Sequence, residues 1–189
     1  MPNYNSVTPE IIAQLEQVVP GRVVVGADVN PDYSRDEMPI YGTRMPEVSI
    51  DVLTTEEVAG IVKICYENNI PVTTRGAGTG LPGGCTPICR GVLICTMRMN
   101  KILSYDLENF AVTDQPGVLL QQLADDALQH GCMYPPDPGE KMATLGGNVS
   151  TNAGGMRAVK YGCTRDYVRA MTVVLPTGEI THFGSTVSK

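Results

Sequence analysis

Two glycine-dense stretches hold the residues best suited to chemistry in this chain, Arg75-Gly76-Ala77-Gly78-Thr79-Gly80-Leu81-Pro82-Gly83-Gly84 and Thr144-Leu145-Gly146-Gly147-Asn148-Val149-Ser150-Thr151-Asn152-Ala153-Gly154-Gly155. Glycine lets backbone N–H groups approach an anion and adopt positive φ, so glycines that follow a strand can form a concave row of donors for a pyrophosphate. Two such loops in one domain suggest a large phosphate-containing cofactor with one end held at each. The first stretch has no Lys-Ser/Thr after its glycines, which argues against a P-loop. Gly76-x-Gly78-x-Gly80 also lacks the G-x-G-x-x-G spacing of a dinucleotide fold, and Leu81-Pro82-Gly83-Gly84 is a poor helix start. The anion would therefore be held by loop amides rather than by a helix terminus.

Other reactive side chains carry less. The six cysteines form no C-x-x-C pair, and only His130 and His182 could complete a metal set, so reduced, mostly buried thiols are expected and no metal. His130 falls at a helix C-terminus, where the dipole favours a cation. His182 lies on a terminal strand with no visible partner.

With 189 residues, 42% of them apolar, the chain can bury a real core. Its net charge of −6 argues against nucleic acid. No apolar run approaches a membrane span, and the first residues lack the pattern of a signal peptide, so a cytoplasmic location is expected.

The elements that must position the two stretches alternate as α+β. Thr8-Pro9-Glu10 opens an amphipathic helix that stops at Pro20-Gly21. Residues 22–26 read as a short strand, 28–44 as an irregular loop and 47–53 as a strand. Thr54 and Glu57 form a capping-box pattern before a helix to about Asn69. Strands follow at 70–74, feeding the first glycine stretch, and at 92–96. A hairpin spans 102–106 and 111–115 and is broken by Pro116-Gly117. A helix is expected over 118–130 with Gly131 just past its end. Tyr134-Pro135-Pro136-Asp137-Pro138-Gly139 is too proline-rich for regular structure, the second glycine stretch is expected as a loop, and residues 168–176 and 179–183 form a final strand pair.

Arg75-Gly-Ala-Gly-Thr-Gly-Leu, Gln115-Pro116-Gly117-Val118, Pro135-Pro136-Asp137-Pro138, Leu145-Gly146-Gly147-Asn148, Thr151-Asn152-Ala153-Gly154-Gly155 and Tyr161-Gly162-x-x-Arg165-Asp166 occur in this order. Together they resemble the FAD-binding domain of the vanillyl-alcohol oxidase (PCMH-type) flavoproteins, over about residues 45–183. Within these the chain looks most like the 2-hydroxyacid branch, the flavin subunit of glycolate oxidase and the D-lactate dehydrogenases. The resemblance implies an α+β PCMH-type fold of mixed sheets flanked by helices. Residues 1–44 would be a helix and loop leading into an FAD-binding domain at 45–189.

The resemblance further implies that Gly76, Ala77, Gly78, Thr79 and Gly80 give N–H groups to the FAD pyrophosphate, with Gly84 and Cys85 closing the turn. Arg75 would pair with phosphate or support the loop through a carboxylate. Pro116 and Gly117 would bring backbone near the cofactor or simply break a strand from a helix. Asp137, fixed between Pro136 and Pro138, would stand near the cofactor or cap a turn. Thr144, Gly147, Asn148, Thr151, Asn152 and Gly154 would line the flavin and its ribityl chain, offering neutral hydrogen bonds.

Thr79 stands where covalently linked members often place a histidine, so noncovalent FAD is expected. The implied activity is oxidation of a 2-hydroxy acid, lactate or glycolate, by hydride transfer to FAD, with electrons passed to an electron-transferring flavoprotein or an iron–sulfur subunit. Full members are much longer and carry a substrate domain with the catalytic residues. The chain is thus expected to be a piece of such a protein, and the alternative is an FAD-binding module without turnover.

Overall fold

The computed structural model describes residues 3–185; residues 1–2 and 186–189 of the expected domain ranges lie outside them. α1 (Pro9–Val18) begins as expected, with the Thr8 hydroxyl accepting from the Ile11 N–H. It buries Ile11 and Leu15. β1 (Val23–Val25) runs antiparallel to β2 (Val48–Asp51). Between them residues 26–45 form short 3-10 turns rather than a featureless loop, at Gly26–Asp28, Pro31–Ser34 and Pro39–Tyr41. Two of these turns start at Pro, which presets the φ they need.

α2 (Thr55–Glu67) connects β2 to β3 (Val72–Arg75), and both strands pair in parallel with β4 (Val92–Cys95), giving the sheet order β1-β2-β4-β3. The central strand reads Val-Leu-Ile-Cys and is buried throughout, the unbroken apolar run that a covered parallel strand requires. Only half of the capping box at α2 is seen in the expected form. Thr54 accepts from the Glu57 N–H, while the Glu57 carboxylate takes the Leu53 N–H at 2.7 Å and a two-pronged grip from Arg22. Arg22 holds the Glu57 carboxyl below its usual range. Ile11, Leu15, Val19, Val48, Ile50, Ile61 and Val92 share one core, so α1 and β1 are built into the same unit as the parallel sheet.

β5 (Ile102–Asp106) and β6 (Ala111–Asp114) form the expected hairpin. α3 (Leu120–Gln129) ends at Gly131, whose positive φ lets the Gly131 and Cys132 N–H groups return to the Leu128 and Ala127 carbonyls. Val118, Leu120, Leu123 and Leu145 make a second, smaller core.

The second glycine stretch departs from its expectation. It forms a helix, α4 (Leu145–Thr151), closed by Asn152 in the left-handed region. Glycine, serine and asparagine are poor helix formers, so propensity alone predicts a loop. A local cap and one long-range contact reverse this: Thr144 caps the N-terminus, and a side chain at Gly146 would collide with Pro116. The short α5 (Ala158–Tyr161) and the hairpin of β7 (Ala170–Val174) and β8 (Ile180–Gly184) complete the fold. Among the described residues no helix is long and apolar enough to cross a membrane.

Candidate functional site

β3 and β4 end side by side, and the chemistry-bearing segments gather at these carboxyl ends, the usual ligand edge of a parallel sheet. The Arg75 carbonyl accepts from the Thr96 N–H at 2.9 Å and from the Thr96 hydroxyl at 3.3 Å, locking the two strand ends together. Gly117 donates its N–H to the Met99 carbonyl at 2.7 Å, and a side chain there would strike the Thr96 and Met99 carbonyls. The Pro116 carbonyl in turn accepts from the Gly146 N–H at 2.8 Å. Pro116-Gly117 is therefore the joint that seats α4 against the sheet.

The two glycine motifs meet at one point. A methyl group added to Gly76 would overlap the Thr144 hydroxyl, so the first loop leaves β3 directly against the cap of α4. Thr144 is buried and its hydroxyl accepts from the Gly147 N–H at 3.3 Å. From Gly76 to Gly84, where only Pro82 lacks an N–H, no backbone N–H donates to a protein acceptor among the described residues. Paired backbone donors are the rule in folded proteins, and so long an unpaired run beside a sheet edge suits an anion.

Beneath this loop lies the guanidinium of Arg75, a residue 7% exposed. Gly78, with φ of 79°, rests on it so closely that a Cβ would overlap the guanidinium atoms. The expectation that Arg75 supports the loop through a carboxylate is not met. It donates to the Arg35 carbonyl at 2.6 Å and approaches the Cys85 Sγ at 3.5 Å. Burial pushes the Cys85 thiol up, and Arg75 opposes that shift. Gly80 accepts from the Glu37 N–H at 3.2 Å, Thr79 is half-buried between these glycines, and the Cβ direction of Gly84 is open.

On α4, Asn148 is 4% exposed, and its Nδ2 donor is buried without a partner. A buried unpaired amide costs about 1–3 kcal/mol unless something supplies an acceptor. The carbonyl oxygens of an isoalloxazine ring are acceptors of this kind. The free amides, the side-chain-free approach at Gly76 and the orphaned Asn148 donor together fit a ligand with a pyrophosphate and a carbonyl-rich ring.

Other expected residues face the protein. The Thr151 hydroxyl is tied back to the Gly147 carbonyl at 3.0 Å, and the Asn152 Oδ1 accepts from the Arg165 N–H at 3.0 Å. Gly154 lies against Cys163. Asp137 pairs with Lys141 and, at 3.1 Å, with Arg157, while buried Pro136 and half-buried Pro138 flank it. A side chain at Gly155 would collide with the Asp137 carbonyl, so this proline turn closes over the far end of α4. His182 does have a partner, the Thr172 hydroxyl at 2.9 Å across the last hairpin. His130 stacks on Tyr105 with 4.1 Å between ring centroids.

Sequence reasoning missed Gly146, whose contact with Pro116 seats α4, and Asp114 at the end of β6, whose carboxyl burial pushes up to about 6. Only the glycine pair Gly146-Gly147 after a capping Thr hints at the first. Nothing local marks the second.

The chain resembles known proteins in sequence and in fold. The FAD binding domain family matches residues 46–184. A D-lactate dehydrogenase of Anaerostipes hadrus is 63% identical over 186 residues, 98% of this chain and 39% of that protein. The glycolate oxidase subunit GlcD of Bacillus subtilis is 39% identical over 170 residues, 89% of this chain and 34% of that protein. The crystal structure of p-cresol methylhydroxylase with substrate bound superposes with a TM-score of 0.79 at 27% identity, over 93% of this chain and 36% of that one. The chain thus spans between a third and two fifths of the length of these relatives. It belongs to the FAD binding domain family.

Proposed function

We propose that this member of the FAD binding domain family is the cofactor-holding part of an oxidoreductase that oxidises a 2-hydroxy acid of the lactate or glycolate type. The observation that carries the reading is the run of unpaired amides from Gly76 to Gly84, set against the Thr144 cap and the orphaned Asn148 donor. The names of the relatives, D-lactate dehydrogenase and glycolate oxidase subunit, support the substrate class.

In this reading the amides of Gly76, Ala77, Gly78, Thr79 and Gly80 hold the pyrophosphate, with Gly84 and Cys85 closing the turn and Arg75 beneath it. Thr144, Gly147, Asn148, Thr151, Asn152 and Gly154 border the ring and ribityl end, and Pro116, Gly117 and the Pro136-Asp137-Pro138 turn brace them. FAD, when bound, supplies the two-electron acceptor for a hydride from the α-carbon of the hydroxy acid. The chain's own contribution is binding and orientation. Neutral Asn and Thr groups at the ring end leave its charge unaltered, while the loop amides take the phosphate charge. In this reading the cofactor-binding domain is residues 45–189, and residues 1–44 lead into it through α1 and β1, which share its core. Electron delivery to an electron-transferring flavoprotein or an iron–sulfur subunit, and a cytoplasmic setting, complete the reading; the free cysteines among the described residues agree with a reducing compartment.

The test has two arms. The purified chain mixed with FAD and desalted should be yellow with flavin bands, and Asn148→Leu should lose most of that colour while melting no lower than the unaltered chain. A colourless unaltered chain would sink the cofactor assignment. The gene product that carries this chain should reduce a dye acceptor with D-lactate or glycolate. Flavin bands without turnover on either acid would leave an FAD-binding module in place of the dehydrogenase.

A further inference from the structure

Arg75 is the one buried cation among the described residues, and no carboxylate there comes within the 4.0 Å of an ion pair. Its surroundings come largely from a segment N-terminal to the stretch that the family matches, 46–184. The Arg35 carbonyl accepts from Nη1 at 2.6 Å, and the guanidinium carbon stands 5.4 Å from the centroid of the Tyr33 ring. The same segment reaches the first loop twice more: Glu37 donates its N–H to the Gly80 carbonyl at 3.2 Å, and Gly83 lies so close to the Tyr41 ring that it admits no side chain.

Burying a cation without a counter-ion is expensive, and an aromatic face with one carbonyl offsets only part of that cost. Directly above the guanidinium, the loop adds a run of unpaired N–H groups and so more positive potential, while the buried Asp36 carboxylate of the same segment forms no ion pair with Arg75 and acts on Cys85 beside it. A guanidinium without an ion pair beneath a run of unpaired amides points to a ligand that is anionic where the loop is. We propose that Tyr33 is a positioning residue of the cofactor site, holding Arg75 beneath the first glycine loop as a buried positive charge for the diphosphate that the loop amides take. This rests on the reading that the chain binds FAD. It extends the site to a 3-10 turn that carries none of the glycine motifs.

The test compares two probes, FAD and riboflavin, which share the ring and differ in the diphosphate. Each is titrated by flavin fluorescence against the unaltered chain and against Arg75→Met, Arg75→Lys, Tyr33→Leu and Tyr33→Phe. Arg75→Met should weaken FAD by about tenfold or more and Tyr33→Leu by about threefold to tenfold, the range expected for losing a desolvated charge or its aromatic support. Arg75→Lys should fall between, and Tyr33→Phe, which keeps the ring face, should bind as the unaltered chain does. Riboflavin affinity should not move in any variant. Hydrogen exchange at saturating FAD gives a second readout: the amides of 76–80, then bonded to the diphosphate, should exchange faster in Tyr33→Leu than in Tyr33→Phe.

FAD affinity unchanged in Arg75→Met, riboflavin weakened in parallel with FAD, or equal exchange in the two Tyr33 variants would each overturn the assignment. An unaltered chain that takes up no FAD would overturn the parent reading and this one with it.

Discussion

Gly78 shows how a single residue can be critical for a reason different from the obvious one. Phosphate space alone predicts that a side chain there is harmful. The structure adds that the place of its Cβ is already filled by the Arg75 guanidinium, and that φ of 79° is closed to a β-branched residue. Gly78→Val should therefore abolish FAD uptake by displacing Arg75 as well as by blocking the anion, while the far-UV circular dichroism of the chain stays unchanged. Flavin content equal to that of the unaltered chain would remove the first loop from the site.

Asp114 gives a residue-scale prediction in pH. Burial raises its carboxyl from 3.8 to about 6 in the fold. A raised carboxyl is a cost that is fully present above about pH 6, where the buried group is charged. The cost fades as pH falls toward the ordinary carboxylate value, because the folded state takes up the proton first. Asp114→Asn should therefore stabilise the chain at pH 7.5, by up to about 3 kcal/mol from a shift of this size, and lose that advantage near pH 4. Thermal melts of both proteins at the two pH values check it; an advantage that is equal at both would show that charge is not the cause.

At the scale of elements, α4 is the instructive piece. Its sequence, Leu-Gly-Gly-Asn-Val-Ser-Thr, has almost no intrinsic reason to be helical. What makes it a helix is the local Thr144 cap at its start and the fit of bare Gly146 against Pro116, a contact between distant segments that no local reading contains. Thr144→Ala should lower stability by about 1 kcal/mol, the usual cost of a lost N-cap, which corresponds to a drop in Tm of about 2–4 °C for a chain of this size. It should also loosen FAD, since the same hydroxyl abuts Gly76. A Tm drop with unaltered FAD affinity would separate α4 from the ligand.

The elements that were legible behave in the opposite way. α1 and α2 announce themselves by Thr caps and apolar spacing, and β4 by its unbroken apolar run, because in each the sequence pattern and the burial coincide. The glycine motifs could be found from composition, but not their meeting at Gly76 and Thr144, nor the return of residues 33–41 to the loop, since these depend on chain crossings with no sequence period.

At the scale of the molecule, the placement of the candidate nucleophiles in and beside the glycine motifs bears on how FAD is held. A covalent link needs a reactive Cys, His or Tyr against the ring. Thr79 stands where the resemblance places the histidine of covalently linked relatives, and a neutral hydroxyl has no activating base here. His130 is stacked on Tyr105 at the end of α3, and His182 is bonded to Thr172 on the last hairpin, so neither belongs to a glycine motif. Cys85 does belong to one, yet burial raises its thiol and so removes the thiolate that the bond formation requires. Tyr134, on the turn that closes over α4, is pushed up to about 12 by burial and is no better a nucleophile. Cys163 packs against Gly154 with no imidazole beside it. FAD held by this chain should therefore come away when the fold is lost. Acid precipitation should give a yellow supernatant over a colourless pellet; flavin fluorescence that stays with the protein band on a denaturing gel would mean that one of these groups is activated in a way its surroundings do not provide.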